Sequence, residues 1–447
     1  MKTVDVGGML DEGPWRGYQK LLVFVTALAI VLDGVDNQLL SVAIPAMMRD
    51  WQIPTRAPFT HVVAIGLVGM MIGGAIAGMI GDRYGRRKAL LGSVFIFGLL
   101  TTSIVFVDNI WALAALRFLS GLGLGGAMPN AAALASEYVP RRHRPMAVTL
   151  TIVCVPFGGF VAGLVGARLL PTWGWRTLFG VGGVLPLVLG FVLMAALAES
   201  PRFMARHRER WGELTRLLRR LGHSVPDDAE FIDPTESTRS ASVGELLVPE
   251  FRRDTMALCA SFFFCLFAAY ASVFWLPSML AGVGFDVASS SNGLAAWNLG
   301  GVVGALLGAA IIVRVGSRAT MIAMCIGAIA GALAVRQITP APTLAMFLLL
   351  GWTGGLINGV QTTMYALAAH VYPATIRATG VGAAVAFGRI GGVVSGYAGL
   401  SSGLTGLFAL LAGFMAIVAI TLAGVRRHIP RMVAGPAGAG QYARARV

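Results

Sequence analysis

Apolar stretches of about twenty residues, long enough to cross a membrane as helix, recur along almost the whole 447-residue chain. A helix of this length spans the ~30 Å hydrocarbon core of a bilayer and satisfies its own backbone hydrogen bonds, which lipid cannot do. Only 13% of the residues are charged, whereas a soluble domain of this size needs a far more charged surface. The sequence therefore predicts an all-α membrane protein.

Glycine, proline and charged residues divide the apolar stretches into twelve predicted transmembrane helices. They cover roughly 19–46, 58–81, 88–107, 110–135, 146–170, 176–197, 254–281, 289–313, 319–336, 342–368, 378–402 and 404–425. The long polar segment between the two sets of six has Leu214, Leu217 and Leu218 at helical spacing. This pattern predicts an amphipathic helix on the membrane surface, followed by a flexible connection. The predicted domains are an N-terminal bundle over 1–197, a linker over 198–253, and a C-terminal bundle with its tail over 254–447.

The net charge of +14 could suggest a nucleic-acid partner, but its distribution indicates topology instead. The predicted spans place 28 of the 35 lysines and arginines on one side, five on the other side and two inside spans. Basic residues concentrate on the cytoplasmic side of membrane proteins. We therefore expect a multi-pass protein of the inner membrane with both termini and the linker in the cytoplasm.

The two predicted halves repeat at an offset of 233 residues. Pro140 and Arg144 align with Pro373 and Arg377, and Phe157-Gly-Gly aligns with Ile390-Gly-Gly in the same frame. Two related six-helix halves are typical of secondary transporters, which bind substrate near the midplane between their repeats.

A charged motif, Gly-Met-Ile-Gly-Asp-Arg-Tyr-Gly-Arg-Arg-Lys, lies at residues 78–88 between predicted helices 2 and 3. It resembles the signature of the major facilitator superfamily. Gly85 permits a tight turn, and Asp82 can pair with cations and cap a helix start. The cluster can hold the two halves together on the cytoplasmic side, although simple anchoring by positive charge is the alternative. The predicted gating residues are Gly78, Asp82, Arg83, Gly85, Arg86, Arg87, Glu137, Arg144 and Arg377.

Three charged residues in apolar helices are the predicted proton-coupling residues. Asp33 and Asp36 are three residues apart in helix 1 and so face one side. Repulsion and loss of hydration favour the protonated form of at least one of them, as proton symport requires. Arg117 costs about 2.5–3.5 kcal/mol to insert, so it should face the bundle interior and have a partner; it resembles the superfamily's helix-4 arginine. The alternatives are structural: Asp33 could brace a neighbouring helix, or pair with Arg117.

Further motifs narrow the resemblance to the aromatic acid/proton symporter family. Asp33-Gly-Val-Asp36 is similar to that family's helix-1 motif Asp-Gly-aromatic-Asp, although Val35 replaces the aromatic residue. Ser136-Glu-Tyr, Ile376-Arg-Ala-Thr-Gly and Gly388-Arg-Ile-Gly resemble the ends of its helix 4 and its helices 10 and 11. The departure at Val35 bears on the identity of the substrate more than on the mechanism.

Arg389 is the predicted anion-binding residue, because a buried arginine can bind a carboxylate with two hydrogen bonds. Pairing with an acid of the other half is the alternative. Aromatic residues could stack on a substrate ring, although such residues usually pack or lie at interfaces. The remaining predicted substrate-binding residues are Tyr270, Trp297, Asn298, Asn358, Gln361 and Tyr365.

The resemblance implies a secondary transporter that takes up a small aromatic or related carboxylate together with protons. We expect no enzyme activity, no cofactor and no metal, since the proton gradient supplies the energy, and we expect a monomer. The alternatives are a transporter of another organic anion or a sugar-like solute, a drug/proton antiporter, and a non-transporting sensor of aromatic acids.

Overall fold

The computed structural model describes residues 3–226, 229–232, 243–338, 341, 343–373, 375–401 and 403–431. Nearly all of these residues are helical, which confirms the predicted all-α fold. The helices are α1 Val6–Glu12, α2 Gly17–Asp50, α3 Ala57–Tyr84, α4 Arg86–Ser103, α5 Ile110–Tyr138, α6 Arg144–Ala196, α7 Pro201–Ala205, α8 Trp211–Arg220, α9 Pro249–Gly282, α10 Val287–Val315, α11 Ser317–Gln337, α12 Leu344–Val371, α13 Arg377–Ser395 and α14 Gly403–Gly424. Short 3₁₀ turns cover Ile104–Phe106, Arg141–His143, Arg208–Arg210, Val243–Leu246 and Gly396–Leu400.

Eleven of these helices are long and apolar enough to cross a membrane. The longest of them, α6, is broken at Gly174, where φ is 74° and ψ is 177°. This conformation is open to glycine and not to other residues, so α6 consists of two spans. The described part of the chain thus contains twelve membrane-crossing segments.

A short parallel strand pair supports this count. Strand β1, Thr3–Asp5, pairs with strand β2, Glu230–Ile232, which lies beyond the sixth span. The two strands must lie on the same side of the membrane, so the number of crossings between them is even. Reading α6 as two spans gives six crossings, whereas reading it as one gives five.

The helices approach closely at glycines. A methyl group added to Gly73 of α3 would lie 2.1 Å from the Leu122 carbonyl oxygen of α5, and one added to Gly304 of α10 would lie 1.9 Å from the Gly355 oxygen of α12. Helices in lipid associate through such packing, because lipid is as apolar as their side chains. Glycine therefore lies where helices pack closely against one another.

The linker helix α8 differs from the prediction in what it contacts. Leu214 and Leu218 are fully buried, and they belong to the same apolar cluster as Val6 and Leu10 of α1. The apolar face of α8 therefore packs on protein, where we expected a membrane surface. The N-terminal segment supplies the covering side chains, and nothing in the spacing of the leucines indicates that partner.

The two halves meet where α2 packs on α9 and α10, α3 on α13 and the Gly396–Leu400 turn, and α6 on α10. We call the end of the bundle where α3 and α5 terminate, at Tyr84 and Tyr138, the linker end. The other end, where α2 terminates at Asp50, is the opposite end. These names are used below for every helix.

Candidate functional site

Asp36 and Arg117 form a buried ion pair between α2 and α5. Asp36 Oδ2 lies 3.2 Å from Arg117 Nη1, and Asp36 Oδ1 accepts a hydrogen bond of 2.6 Å from the Thr101 hydroxyl of α4. The Arg117 guanidinium also lies over the ring of Phe179, 5.2 Å from its centre. Both carboxylate oxygens of Asp36 thus have a partner.

Asp33 lies one helical turn closer to the linker end and has a different environment. Its side chain is 2% exposed, and its buried Oδ1 has no hydrogen-bond partner among the described residues. An ionised carboxylate without partners in an apolar interior is strongly disfavoured. The pairing of Arg117 with Asp36, and not with Asp33, therefore makes the two carboxyl groups chemically different.

Four predicted substrate-binding residues, Tyr270, Gln361, Tyr365 and Arg389, lie near one another in the second half. Asp33 and Arg389 both act electrostatically on the Tyr270 hydroxyl. Arg389 also acts on the Tyr365 hydroxyl, which is hydrogen-bonded to the Gln361 side chain. An acid from the first half and a cation from the second half therefore flank the same tyrosine.

Arg389 is positioned at the contact between the halves. A methyl group added to Gly74 of α3 would lie 2.5 Å from Arg389 Nη1, so the guanidinium reaches the first half. Within the described residues, no carboxylate forms an ion pair with it. The cation is half-buried and available to an anionic ligand.

The other three predicted substrate-binding residues have different surroundings. Trp297 is fully buried and packs edge-on against Phe408, 6.3 Å between ring centres, inside the second bundle. Asn298 exchanges two hydrogen bonds, of 2.7 and 3.1 Å, with the Gln38 amide across the halves. Asn358 donates to Gly354 of its own helix at 2.9 Å. For Trp297 and Asn298 the structure favours a packing role and a bridging role over direct substrate contact in this conformation.

The charged motif pairs within its own half. Arg86 Nε lies 2.9 Å from Glu137 Oε1 and Arg86 Nη2 lies 3.3 Å from Asp82. The start of α4 is capped by Glu199, whose Oε1 accepts from the Arg87 backbone N–H at 2.9 Å. We expected Asp82 in this capping role, but its side chain is 73% exposed and turns outward. Glu199 reaches the cap because Gly85, with φ 105°, turns the chain toward it.

The remaining predicted gating residues have the following places. Arg144 pairs with Asp11 of α1, and Arg377 donates to the Tyr372 carbonyl oxygen at 3.3 Å. The Arg83 guanidinium lies over the ring of Tyr84, 5.5 Å from its centre. Gly78 is open, with no atom within 4 Å of an added methyl group. Gating by any of these residues stays a prediction.

Sequence reasoning missed several partners. Thr101, Gln38 and Asp11 each complete a contact described above, yet none belongs to a motif that we recognised. For Thr101 and Gln38 the available signal was a polar residue within an apolar span. Asp11 gave no signal, since it lies in an ordinary polar segment near the N-terminus.

Comparison with known proteins places this geometry in a family. A sequence profile of the Major Facilitator Superfamily matches residues 26–396. A gallate transporter of Pseudomonas putida is 33% identical over 402 residues, covering 89% of this chain and 88% of that protein. A 4-hydroxybenzoate transporter of Pseudomonas aeruginosa is also 33% identical, with 89% of each chain covered.

A solved structure of a D-xylose–proton symporter has the same fold, with a TM-score of 0.69 at 17% identity over 91% of this chain and 97% of that one. The relatives are transporters, which confirms that the chain is not an enzyme, and they confirm the resemblance to the aromatic acid transporters. The chain belongs to the Major Facilitator Superfamily.

Proposed function

We propose that the protein takes up a small aromatic carboxylate across the inner membrane, driven by protons. The observation that carries the proposal is the buried, partnerless Asp33, which faces the same tyrosine as the cation Arg389. Relatives at 33% and 30% identity are named as gallate, 4-hydroxybenzoate and benzoate transporters, which supports an aromatic acid as substrate.

Arg389 binds the carboxylate of the substrate. Its planar guanidinium matches the two oxygens of a carboxylate, and the absence of an acidic partner among the described residues leaves it free to do so. Tyr270 and Tyr365 supply ring faces and hydroxyl groups beside the cation. A benzoate-like anion satisfies both features at once, whereas a cationic drug would be repelled by Arg389.

Asp33 carries the coupled proton. When the site is closed to water, its carboxyl group lacks the partners that would stabilise a negative charge, so it must be protonated. When the site is open to water, hydration stabilises the ionised form and the proton can leave. Asp36 is the less suited of the two carboxyl groups to this role, because Arg117 and Thr101 already occupy its oxygens.

We infer that this conformation is the inward-facing state of the cycle, with the linker end on the cytoplasmic side. The contacts between halves that support this lie toward the opposite end. Ser41 donates to the Val273 carbonyl oxygen at 2.5 Å, and Arg56 to the Ser278 oxygen at 3.5 Å. The rings of His61 and Tyr397 are 5.7 Å apart.

The test is transport by the purified protein in proteoliposomes. Labelled gallate, 4-hydroxybenzoate and benzoate are offered under an imposed inward proton gradient, with a protonophore as control. We expect one or more acids to accumulate, and we expect Asp33→Asn to abolish accumulation while retaining exchange of labelled for unlabelled substrate. Exchange requires binding and the movement of the halves, but no net proton transfer.

Arg389→Gln is the matched variant for binding, and it should lose both accumulation and exchange. The proton assignment is wrong if Asp33→Asn accumulates substrate as well as the unchanged protein. Failure of all three acids to accumulate or exchange, in protein shown to be folded, would overturn the aromatic-acid proposal itself.

A further inference from the structure

A basic pocket lies at the linker end of the second bundle. It has a volume of about 610 Å³ and is formed by two segments, the one that joins α12 to α13 and the one that follows α14. Its polar and charged lining residues are His370, Tyr372, Arg377, Arg426, Arg427 and His428. The pocket lies at the linker end, away from the proposed proton and substrate sites, and of its residues only Arg377 is also a predicted gating residue.

Two of its three arginines lack an acidic partner. Arg427 pairs with Glu250 at 2.5 Å. Asp254, the other nearby acid, accepts from the backbone N–H of Arg426 at 2.7 Å, so its contact does not involve the guanidinium. Arg377 donates to a backbone carbonyl oxygen. Among the described residues, no carboxylate forms an ion pair with the guanidinium of Arg377 or Arg426.

The first half fills the equivalent position with its own acids. Arg144, the repeat counterpart of Arg377, pairs with Asp11. Glu137, the counterpart of His370, pairs with Arg86 at 2.9 Å. Residues 428–447 of the second half contain no aspartate or glutamate.

Arg377 and Arg426 therefore carry positive charge that no described carboxylate pairs with. Burial, with the nearby Arg318 as a further cause, lowers the pKa of His428, so this histidine is neutral at pH 7. Arg377 and Arg426 are both exposed and present guanidinium groups to the pocket. Such groups bind phosphate oxygens with two hydrogen bonds.

We propose that this pocket binds a phosphate-bearing anion, and that the ligand is the headgroup of an anionic phospholipid in the leaflet at the linker end. Basic pockets at the ends of transmembrane helices meet such headgroups directly. The exposed apolar side chain of Pro430 lines the same pocket, which suits a ligand attached to acyl chains. A soluble phosphate compound has the same charged group without these chains.

The test measures binding to the full-length protein in detergent by native mass spectrometry. The probes are dioctanoyl phosphatidylglycerol, its free headgroup glycerol 3-phosphate, and dioctanoyl phosphatidylcholine as the zwitterionic control. We expect phosphatidylglycerol to bind and Arg426→Gln to weaken its binding about fivefold, with a further loss of about the same factor in Arg377→Gln/Arg426→Gln. Arg314→Gln is the matched control, because this exposed arginine at the end of α10 lies outside the pocket.

Glycerol 3-phosphate binding as tightly as the lipid, with the same sensitivity to the two substitutions, would keep the phosphate site and assign it to a soluble ligand. Equal loss in Arg314→Gln and Arg426→Gln would overturn the proposal, because it would show general attraction to a basic surface. Absence of binding by either phosphate probe would overturn it too. Arg426→Lys keeps the charge and is the control for a folding defect. It should bind phosphatidylglycerol within a few-fold of the unchanged protein.

Discussion

Asp33 and Asp36 are three residues apart in α2, yet their carboxyl groups have different surroundings. Asp36 faces α4 and α5, where Thr101 and Arg117 satisfy it, while Asp33 faces the second half and Tyr270. A buried ion pair adds little net stability, because both ions lose their hydration. The pair joins α2 to α4 and α5 and leaves Asp33 without a contact to Arg117.

Replacing one member of the Asp36–Arg117 pair should reduce folding stability more than replacing both. We expect Arg117→Met to reduce stability by about 3–5 kcal/mol, because Asp36 is left as an uncompensated buried charge. The double variant Asp36→Asn/Arg117→Met should recover most of that loss. The measurement is the unfolding temperature of each variant in detergent, with Asp36→Asn completing the cycle. Effects that simply add in the double variant would show that the two residues do not interact energetically.

The three charged residues could be predicted from sequence because charge in an apolar span is rare and costly. Their pairing could not be predicted, since Asp33 and Asp36 lie on one face and both were open to Arg117. The outcome depends on where α4 places Thr101, which no spacing within α2 reveals. The hydrogen bonds between Asn298 and Gln38 could not be predicted for a similar reason, because the two residues are 260 positions apart; substrate contact by Asn298 stays a prediction.

At the scale of elements, the N-terminal segment and the linker form one unit on the first bundle. The strand pair β1–β2 joins them, and α1 packs its apolar side chains into the same cluster as α8. His223, which follows α8, lies against the start of the chain: a methyl group on Gly13 would be 2.7 Å from its ring. The attachment of the segment therefore involves a titratable group.

This attachment should weaken in acid. Burial, with Arg16 as a further cause, lowers the pKa of His223 from its usual 6.5. As the pH falls, His223 therefore takes up a proton more readily when the segment is detached than when it is attached. The stability of the attached form is complete above about pH 6.5 and declines below it. Hydrogen exchange of residues 3–12, corrected for the intrinsic rate, should rise between pH 7.5 and 5.

His223→Gln supplies the control for this prediction, because glutamine has no charge to gain. Its exchange should be independent of pH over the same range. If the variant and the unchanged protein respond to pH alike, another group controls the attachment.

At the scale of the whole molecule, the contact between His61 and Tyr397 should open once in every transport cycle. Both side chains are exposed at the opposite end, with their rings 5.7 Å apart. We expect the double variant His61→Cys/Tyr397→Cys, joined by a short thiol-reactive cross-linker, to lose transport because the halves can no longer separate there. Uptake into proteoliposomes measures this directly.

Reduction of a cleavable cross-linker should restore uptake, and each single cysteine variant should be active with or without the reagent. Three of the four native cysteines are buried and the fourth is half-buried, so the reagent acts mainly at the new pair. Full activity of the cross-linked protein would mean that this contact persists through the cycle.

The internal repeat made the two-bundle architecture predictable, because Pro140 and Arg144 recur as Pro373 and Arg377 in one frame. The end of the bundle at which the two halves close could not be predicted, because the inward-facing and outward-facing conformations of a transporter share one sequence and differ little in free energy. The repeat aligns Arg144 with Arg377 and so gives no sign that the two arginines have different partners. Asp11, which distinguishes them, lies outside the repeated region.

The strand pair also sets an order of events during synthesis of the chain. Residues 3–5 leave the ribosome long before residues 230–232, and at about 5–20 residues per second the delay is roughly 11–45 s. Throughout that interval the N-terminal strand has no strand to pair with on the growing chain. The pair can close only when both strands lie on the same side of the membrane, after an even number of crossings, so its closure follows insertion of the first half.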